Sequence, residues 1–170
     1  MKILQKYKIG LRTIKTVLAV FFCLLIQLIF SVDQMHIFYA AIAAIVCMRE
    51  TTEKSVSISV QRFIGTLIGG IIGFIVINTS QYIPYYNEGM YIVILPLCTT
   101  LGISICALLK KQNAVVICCV VFLGITLDPT LNIDNTLWYI ILRVFYTTIG
   151  IIITTLLNRY FFPNVEEETF

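Results

Sequence analysis

The chain has 170 residues, of which 59% are hydrophobic and only 12% are charged, and its net charge is +3. A soluble domain of this length buries only about two-thirds of its surface, so it could not hide so much apolar area. The composition therefore excludes a water-soluble domain and indicates one integral membrane domain over residues 1–170. The basic residues form no face interleaved with exposed aromatic side chains, so we expect no nucleic-acid partner.

Apolar runs follow one another along most of the chain. They lie near residues 16–32, 36–48, 63–78, 90–109, 114–127 and 137–157. A membrane-spanning helix needs about 20 residues. The third run extends backwards as a helix to about Glu53, although the alternating serines there are also compatible with a short strand. The predicted fold class is an all-α integral membrane protein with six transmembrane helices in a lipid bilayer.

The basic residues indicate the orientation. If the N-terminus lies in the cytoplasm and each of the six helices crosses the membrane, every Lys and Arg except Arg143 falls in a cytoplasmic segment. Cytoplasmic loops of membrane proteins carry such an excess of Lys and Arg. We therefore predict a multi-pass protein of the cell membrane with both termini in the cytoplasm, an uncleaved first helix and a short cytoplasmic tail over residues 159–170.

Two segments share the pattern Arg-x-x-x-Thr-x-x-Gly. "RFIGTLIGG" begins at Arg62, and "RVFYTTIGI" begins at Arg143, 81 positions later. They fall in the third and sixth helices, so the natural repeat is three helices used twice, over about residues 11–78 and 90–158. Copies with an odd number of spans enter the membrane in opposite senses, so we expect two inverted repeats.

The second and fifth runs are both short, and they occupy matching places in the two repeats. Paired short segments of this kind point to a transport site. The alternative is that both helices tilt little or lie where the bilayer is thin.

Small residues form a stripe on each helix that carries the motif. Side chains three or four positions apart lie on one side of a helix. Small residues let helix backbones approach each other in lipid, so the stripe glycines are predicted to lie at helix contacts. These glycines are Gly65, Gly69 and Gly73 in the third helix and Gly150 in the sixth. Thr66 and Thr147 share the stripes, where they either pack against a helix or line a substrate path.

Arg143 is the one basic residue that the predicted topology places within a membrane-spanning helix. An arginine at the bilayer centre costs about 2.5–3.5 kcal/mol on insertion scales. The apolar runs contain no Asp or Glu to pair with it, and Asp128 and Asp134 in a loop are the nearest acidic residues in sequence. If neither of these two residues pairs with Arg143, its natural partner is an incoming anion. Arg62 either binds the same anion or extends its charge to the membrane surface.

Four segments carry a family resemblance. They are "GLRTIKTVLAV", "FYAAIAAIVCMRETTEKS", "RFIGTLIGGIIG" and "IGIIITTLLNRYFFP", and together they resemble the aromatic acid exporter family, within the wider fusaric acid resistance group. The resemblance implies a six-helix unit that exports small aromatic carboxylic acids, with a distant likeness to plant malate channels. It directs attention to Arg12, Lys15 and Tyr39 besides Arg62, Gly69 and Arg143. Longer members carry a cytoplasmic C-terminal domain, and the resemblance is to a short form.

These observations are compatible with three functions. The first is export of aromatic carboxylates or related organic anions, with Arg143, Arg62, Thr147, Thr66, Tyr39 and Lys15 as the substrate-binding residues. The alternatives are a passive anion channel and a non-transporting membrane assembly partner. An enzyme is not expected, because no Ser/His/Asp, Cys/His or metal-ligand spacing occurs, and neither a metal nor a cofactor is implied. Six short helices enclose little space, so we expect a homodimer.

Overall fold

A computed structural model describes residues 11–30, 34–49, 51–82, 88–128 and 133–161. In these residues the chain forms α-helices, and the last of them is followed by one π-helical turn, Leu157–Phe161. The helices are α1 (Leu11–Phe30), α2 (Gln34–Cys47), α3 (Thr52–Tyr82), α4 (Glu88–Leu108), α5 (Gln112–Thr126) and α6 (Ile133–Leu156). The all-α class and the six predicted helices are confirmed, and the segment after Thr52 is helical rather than extended. The Arg12 side chain and most of the predicted tail, residues 162–170, lie outside the described residues.

The helices differ in their capacity to cross a membrane. Within the described residues, three stretches are long and apolar enough to span: Thr13–Phe30, Thr52–Ser80 and Asn135–Tyr160. The other apolar helical stretches are shorter, and α2 and α5 have only 14 and 15 residues. The predicted short second and fifth helices are therefore present. Length and composition mark three of the six helices as spans.

The chain divides into two compact units. The first unit is Met1–Ser59 with Phe145–Phe170, and it contains α1, α2, the first turns of α3 and the second half of α6. The second unit is Val60–Val144, and it contains the rest of α3, α4, α5 and the first half of α6. The inverted three-helix repeats stay a prediction.

In the first unit, α6 packs directly on the backbone of α2. A Cβ atom added to Gly150 would overlap the carbonyl oxygen of Ala40 and lie 2.9 Å from the Cβ of Ala43. One turn further along α6, the Thr154 hydroxyl donates a 3.2 Å hydrogen bond to the carbonyl oxygen of Ala44. Small residues on both helices thus allow the close approach that lipid-embedded helices use for packing.

In the second unit, α3 packs on α5 through its glycines. A Cβ atom on Gly65 would lie 2.5 Å from the carbonyl oxygen of Ala114, and one on Gly69 would overlap that of Cys118. A Cβ atom on Gly73 would lie 3.1 Å from the Ile125 side chain. One face of α3 therefore depends on three successive glycines to admit α5.

The two motif glycines have the same local surroundings. Gly69 faces a carbonyl oxygen and, three residues further along the partner helix, the Cβ of Val121 at 3.1 Å. Gly150 likewise faces a carbonyl oxygen and a Cβ three residues further along. The shared pattern Arg-x-x-x-Thr-x-x-Gly thus has one structural use in both units: its glycine brings a helix against a neighbouring backbone.

Candidate functional site

The six side chains predicted to bind substrate are all buried. Lys15, Tyr39 and Thr147 belong to the first unit, whereas Arg62, Thr66 and Arg143 belong to the second.

Arg143 lies inside the second unit with only 9% of its surface exposed. Its Nη1 atom donates a 3.2 Å hydrogen bond to the hydroxyl of Tyr139, one helical turn earlier on α6. The spacing of four residues places the two side chains on the same side of the helix. The phenol therefore holds one edge of the guanidinium in place.

A glycine on α5 accommodates the Arg143 guanidinium. A Cβ atom built on Gly124 would lie 3.3 Å from Nη1 and 3.9 Å from Nη2 of Arg143. Because Gly124 has no side chain, there is room for the planar guanidinium between α5 and α6. A guanidinium presents its N–H donors in a rigid fork that matches a carboxylate. Neither Tyr139 nor Gly124 was predicted to lie at this site, and the four-residue spacing from Tyr139 to Arg143 was the one available signal.

Arg62 and Thr66 interact through the backbone of α3. The Thr66 hydroxyl donates a 3.0 Å hydrogen bond to the carbonyl oxygen of Arg62. Threonines in apolar helices often form such bonds to the preceding turn. The Arg62 side chain is 7% exposed, so its charge lies within the protein.

Lys15 in the first unit belongs to a buried polar cluster. Its Nζ atom donates a 2.8 Å hydrogen bond to Oδ1 of Asn158. The Asn158 amide nitrogen donates to Oγ of Ser55 at 2.9 Å and to the carbonyl oxygen of Arg49 at 3.3 Å. The backbone N–H of Arg49 donates to the same Ser55 oxygen at 3.0 Å. These four residues, the Lys15 cluster, join the beginnings of α1 and α3 to the segments that follow α2 and α6.

Only part of this cluster could be predicted from the sequence. Lys15 came from the family resemblance, whereas Arg49 and Ser55 were not expected. The partners of Asn158 are 103 to 143 positions away in the chain, and no local pattern joins residues so distant.

Tyr39 and Thr147 are both buried in the first unit. The neighbouring Tyr146 stacks on His36, with ring centroids 5.2 Å apart and an interplanar angle of 5°. In the part of the chain that the structure describes, no group of three or more His, Cys, Asp or Glu residues is placed to hold a metal ion.

The comparison with known protein families gives a match over most of the chain. The model of the family described as "Aromatic acid exporter family member 1" matches residues 7–161, which is most of the chain. No curated protein and no solved structure matches the chain.

Proposed function

The chain belongs to the aromatic acid exporter family, and from this premise we propose that it exports small aromatic carboxylic acids or related organic anions across the cell membrane. The family and the apolar helices make it a membrane transport protein. The substrate class, the outward direction and the cytoplasmic location of both termini are parts of the proposal.

The observation that carries the proposal is the environment of Arg143. A cation in an apolar helix is costly, and such residues face the protein interior or a water-filled cavity and mark ion pathways. The Arg143 guanidinium is held by Tyr139 and lies beside the open position at Gly124. A carboxylate that reaches it would gain charge-assisted, bidentate hydrogen bonds. We assign the contact with the anionic group of the substrate to Arg143.

The test is anion flux in proteoliposomes, with benzoate as the labelled probe. Arg143→Gln keeps polarity and much of the volume but removes the charge, and hydrogen bonds to charged groups contribute about 1.5–3 kcal/mol. We therefore expect flux at low benzoate concentration to fall about tenfold to a hundredfold. Arg143→Lys should restore only part of it, because an ammonium lacks the planar fork.

Arg159→Gln is the matched control, because it removes an exposed arginine close to the end of the same helix. Its flux should equal that of the parent protein. Size-exclusion chromatography verifies that every variant is folded. Unchanged flux in well-folded Arg143→Gln protein would contradict the assignment of Arg143.

The same preparation separates an exporter from a passive anion channel. Export coupled to protons requires that an imposed pH gradient drives benzoate against its own concentration gradient. A channel only dissipates the benzoate gradient. The homodimer is part of the proposal too, and chemical cross-linking in the native membrane tests it.

A further inference from the structure

We propose that His36 and Tyr146 form a binding site for the aromatic ring of the transported acid, and that this ring stacks on the open face of the His36 imidazole. The inference rests on the proposed function for the identity of the ligand. It goes beyond that function by naming the side chains that distinguish an aromatic acid from other carboxylic acids. The site itself is inferred from the packing, exposure and hydrogen bonding of the two residues.

The aromatic pair is the first of three contacts between α2 and α6. Each contact lies four residues after the previous one on both helices, so the two helices run side by side in the same direction. The contacts join His36 to Tyr146, Ala40 to Gly150 and Ala44 to Thr154. The second and third contacts involve small side chains and bring the backbones together, whereas the first consists of two rings. These rings therefore lie at the end of the interface where α2 begins.

One face of the imidazole is available to a ligand. The centroids of the two rings are 5.2 Å apart and their planes are inclined by only 5°, which is the offset-stacked arrangement that aromatic pairs favour. Tyr146 thus covers one face of the His36 ring. Both residues are partly exposed, and within the described residues His36 has no second ring contact. The other face of the imidazole is therefore open to a further ring.

The imidazole is held by the stack rather than by hydrogen bonds. Its Nδ1 atom is buried and has no hydrogen-bond partner in the part of the chain that the structure describes. The accessible part of the ring therefore lies away from Nδ1. Tyr146 is supported from α6 itself, because the Phe145 ring meets it edge to face at 5.4 Å and 81°. Rings that are already fixed in place lose little conformational freedom when a ligand stacks on them.

The chemistry of the site favours an aromatic anion. A third ring continues the stack, and stacking favours a flat π system over a saturated ring of the same size. Neither α2 nor the part of α6 in this unit, residues 145–156, carries an acidic side chain, so a carboxylate on the ring meets no like charge there. In the predicted orientation the beginning of α2 lies at the outer side, where an exported acid leaves the protein.

The first test observes His36 directly by nuclear magnetic resonance. It is the one histidine of the chain, so protein with isotope-labelled histidine, purified with a histidine-free tag, gives a single set of imidazole signals. Benzoate should shift these signals through the ring current of its phenyl group. Cyclohexanecarboxylate carries the same carboxylate on a saturated ring and should not shift them at the same concentration and pH. Equal shifts with both acids, or no shift with either, would contradict the proposal.

The second test measures selectivity in proteoliposomes. Fluxes of benzoate and cyclohexanecarboxylate are compared at low concentration, and their ratio defines the aromatic preference. Loss of one aromatic stacking contact should lower this ratio about twofold to tenfold in His36→Leu protein. His36→Phe keeps a flat ring at the same place and should retain most of the preference.

Phe21→Leu is the matched control, because it removes an exposed aromatic ring of α1 in the same unit. Its flux ratio should equal that of the parent protein. Size-exclusion chromatography verifies that each variant is folded. An unchanged ratio in well-folded His36→Leu protein would show that the aromatic pair only packs α2 against α6.

The two tests distinguish failure of this inference from failure of the proposed function. If the parent protein transports benzoate and His36→Leu keeps the full aromatic preference, the inference fails and the proposed function stands. If the parent protein transports neither acid but benzoate alone shifts the His36 signals, the proposed function fails and the ring site stands.

Discussion

The ammonium group of Lys15 donates a 2.8 Å hydrogen bond to the side-chain oxygen of Asn158, which lies 143 positions later in the chain. The bond ties the beginning of α1 to the π-helical turn after α6. Both residues are buried, so the contact is shielded from water and belongs to the interior of the first unit. The cation therefore has a fixed location between the beginning of α1 and the π-helical turn, which a local sequence pattern does not reveal.

Gly69 is expected to be essential for the contact between α3 and α5. Alanine normally stabilises a helix relative to glycine by up to about 1 kcal/mol. At Gly69, however, the added methyl would overlap the Cys118 carbonyl oxygen, so Gly69→Ala should destabilise the protein by about 1–3 kcal/mol. Unfolding in detergent, followed by far-UV circular dichroism, measures the change.

Gly89→Ala is the control for this experiment. A Cβ atom at Gly89 meets nothing within 4 Å, so the substitution should leave the unfolding free energy unchanged or raise it slightly. Equal stability of the two variants would show that the close contact at Gly69 does not contribute to folding.

Gly124 is expected to control access to Arg143. A valine there would place two methyl groups beyond a Cβ that already lies 3.3 Å from the guanidinium, so the cation must move. Gly124→Val should lower the initial rate of benzoate flux about tenfold, because the displaced guanidinium loses one aligned hydrogen bond to the substrate. Gly124→Ala should have a smaller effect.

The stability of the Gly124 variants should not fall, because the position is exposed and glycine is itself a poor helix former. Melting temperatures and flux are measured on the same preparations. Normal flux in folded Gly124→Val protein would mean that the space beside Arg143 is not used by the substrate.

The backbone at Lys110 is expected to be strained, and a glycine at this position should relieve the strain. Its φ angle is 55°, in the left-handed region, and the N–H groups of Lys110 and Lys111 bond to the carbonyls of Ala107 and Cys106 at the end of α4. Glycine is the usual residue at such a helix end. Lys110→Gly should therefore raise the unfolding free energy by about 0.5–1 kcal/mol. Lys111→Gly, where φ is −111°, should give no such gain, and a gain of equal size there would contradict the explanation.

The orientation of the chain is tested by cysteine labelling. In a protein without the six native cysteines, Tyr85→Cys should react with an impermeant reagent added outside the cell, and Lys111→Cys should not. The physical reason is the one-sided distribution of Lys and Arg. The opposite labelling pattern would place both termini outside.

The amino-acid sequence by itself determined the helical class, the helix positions and the contact glycines of the Arg-x-x-x-Thr-x-x-Gly segments. These features depend on local properties: apolar runs fold as helices in lipid because each backbone group must be satisfied within its own segment, and side chains three or four positions apart necessarily share a helix face. The glycines Gly69 and Gly150 were therefore recognisable as contact positions before their partners were known.

Only the tertiary structure decided which backbones those glycines meet and which groups surround the cations. Gly69 meets α5 and Gly150 meets α2, and an apolar helix surface carries too little information to specify that choice. The close approach of Arg143 to Gly124 and the hydrogen bond from Lys15 to Asn158 both depend on how the helices pack. A buried charge selects partners by proximity in space, and such proximity exists only after the helices have assembled.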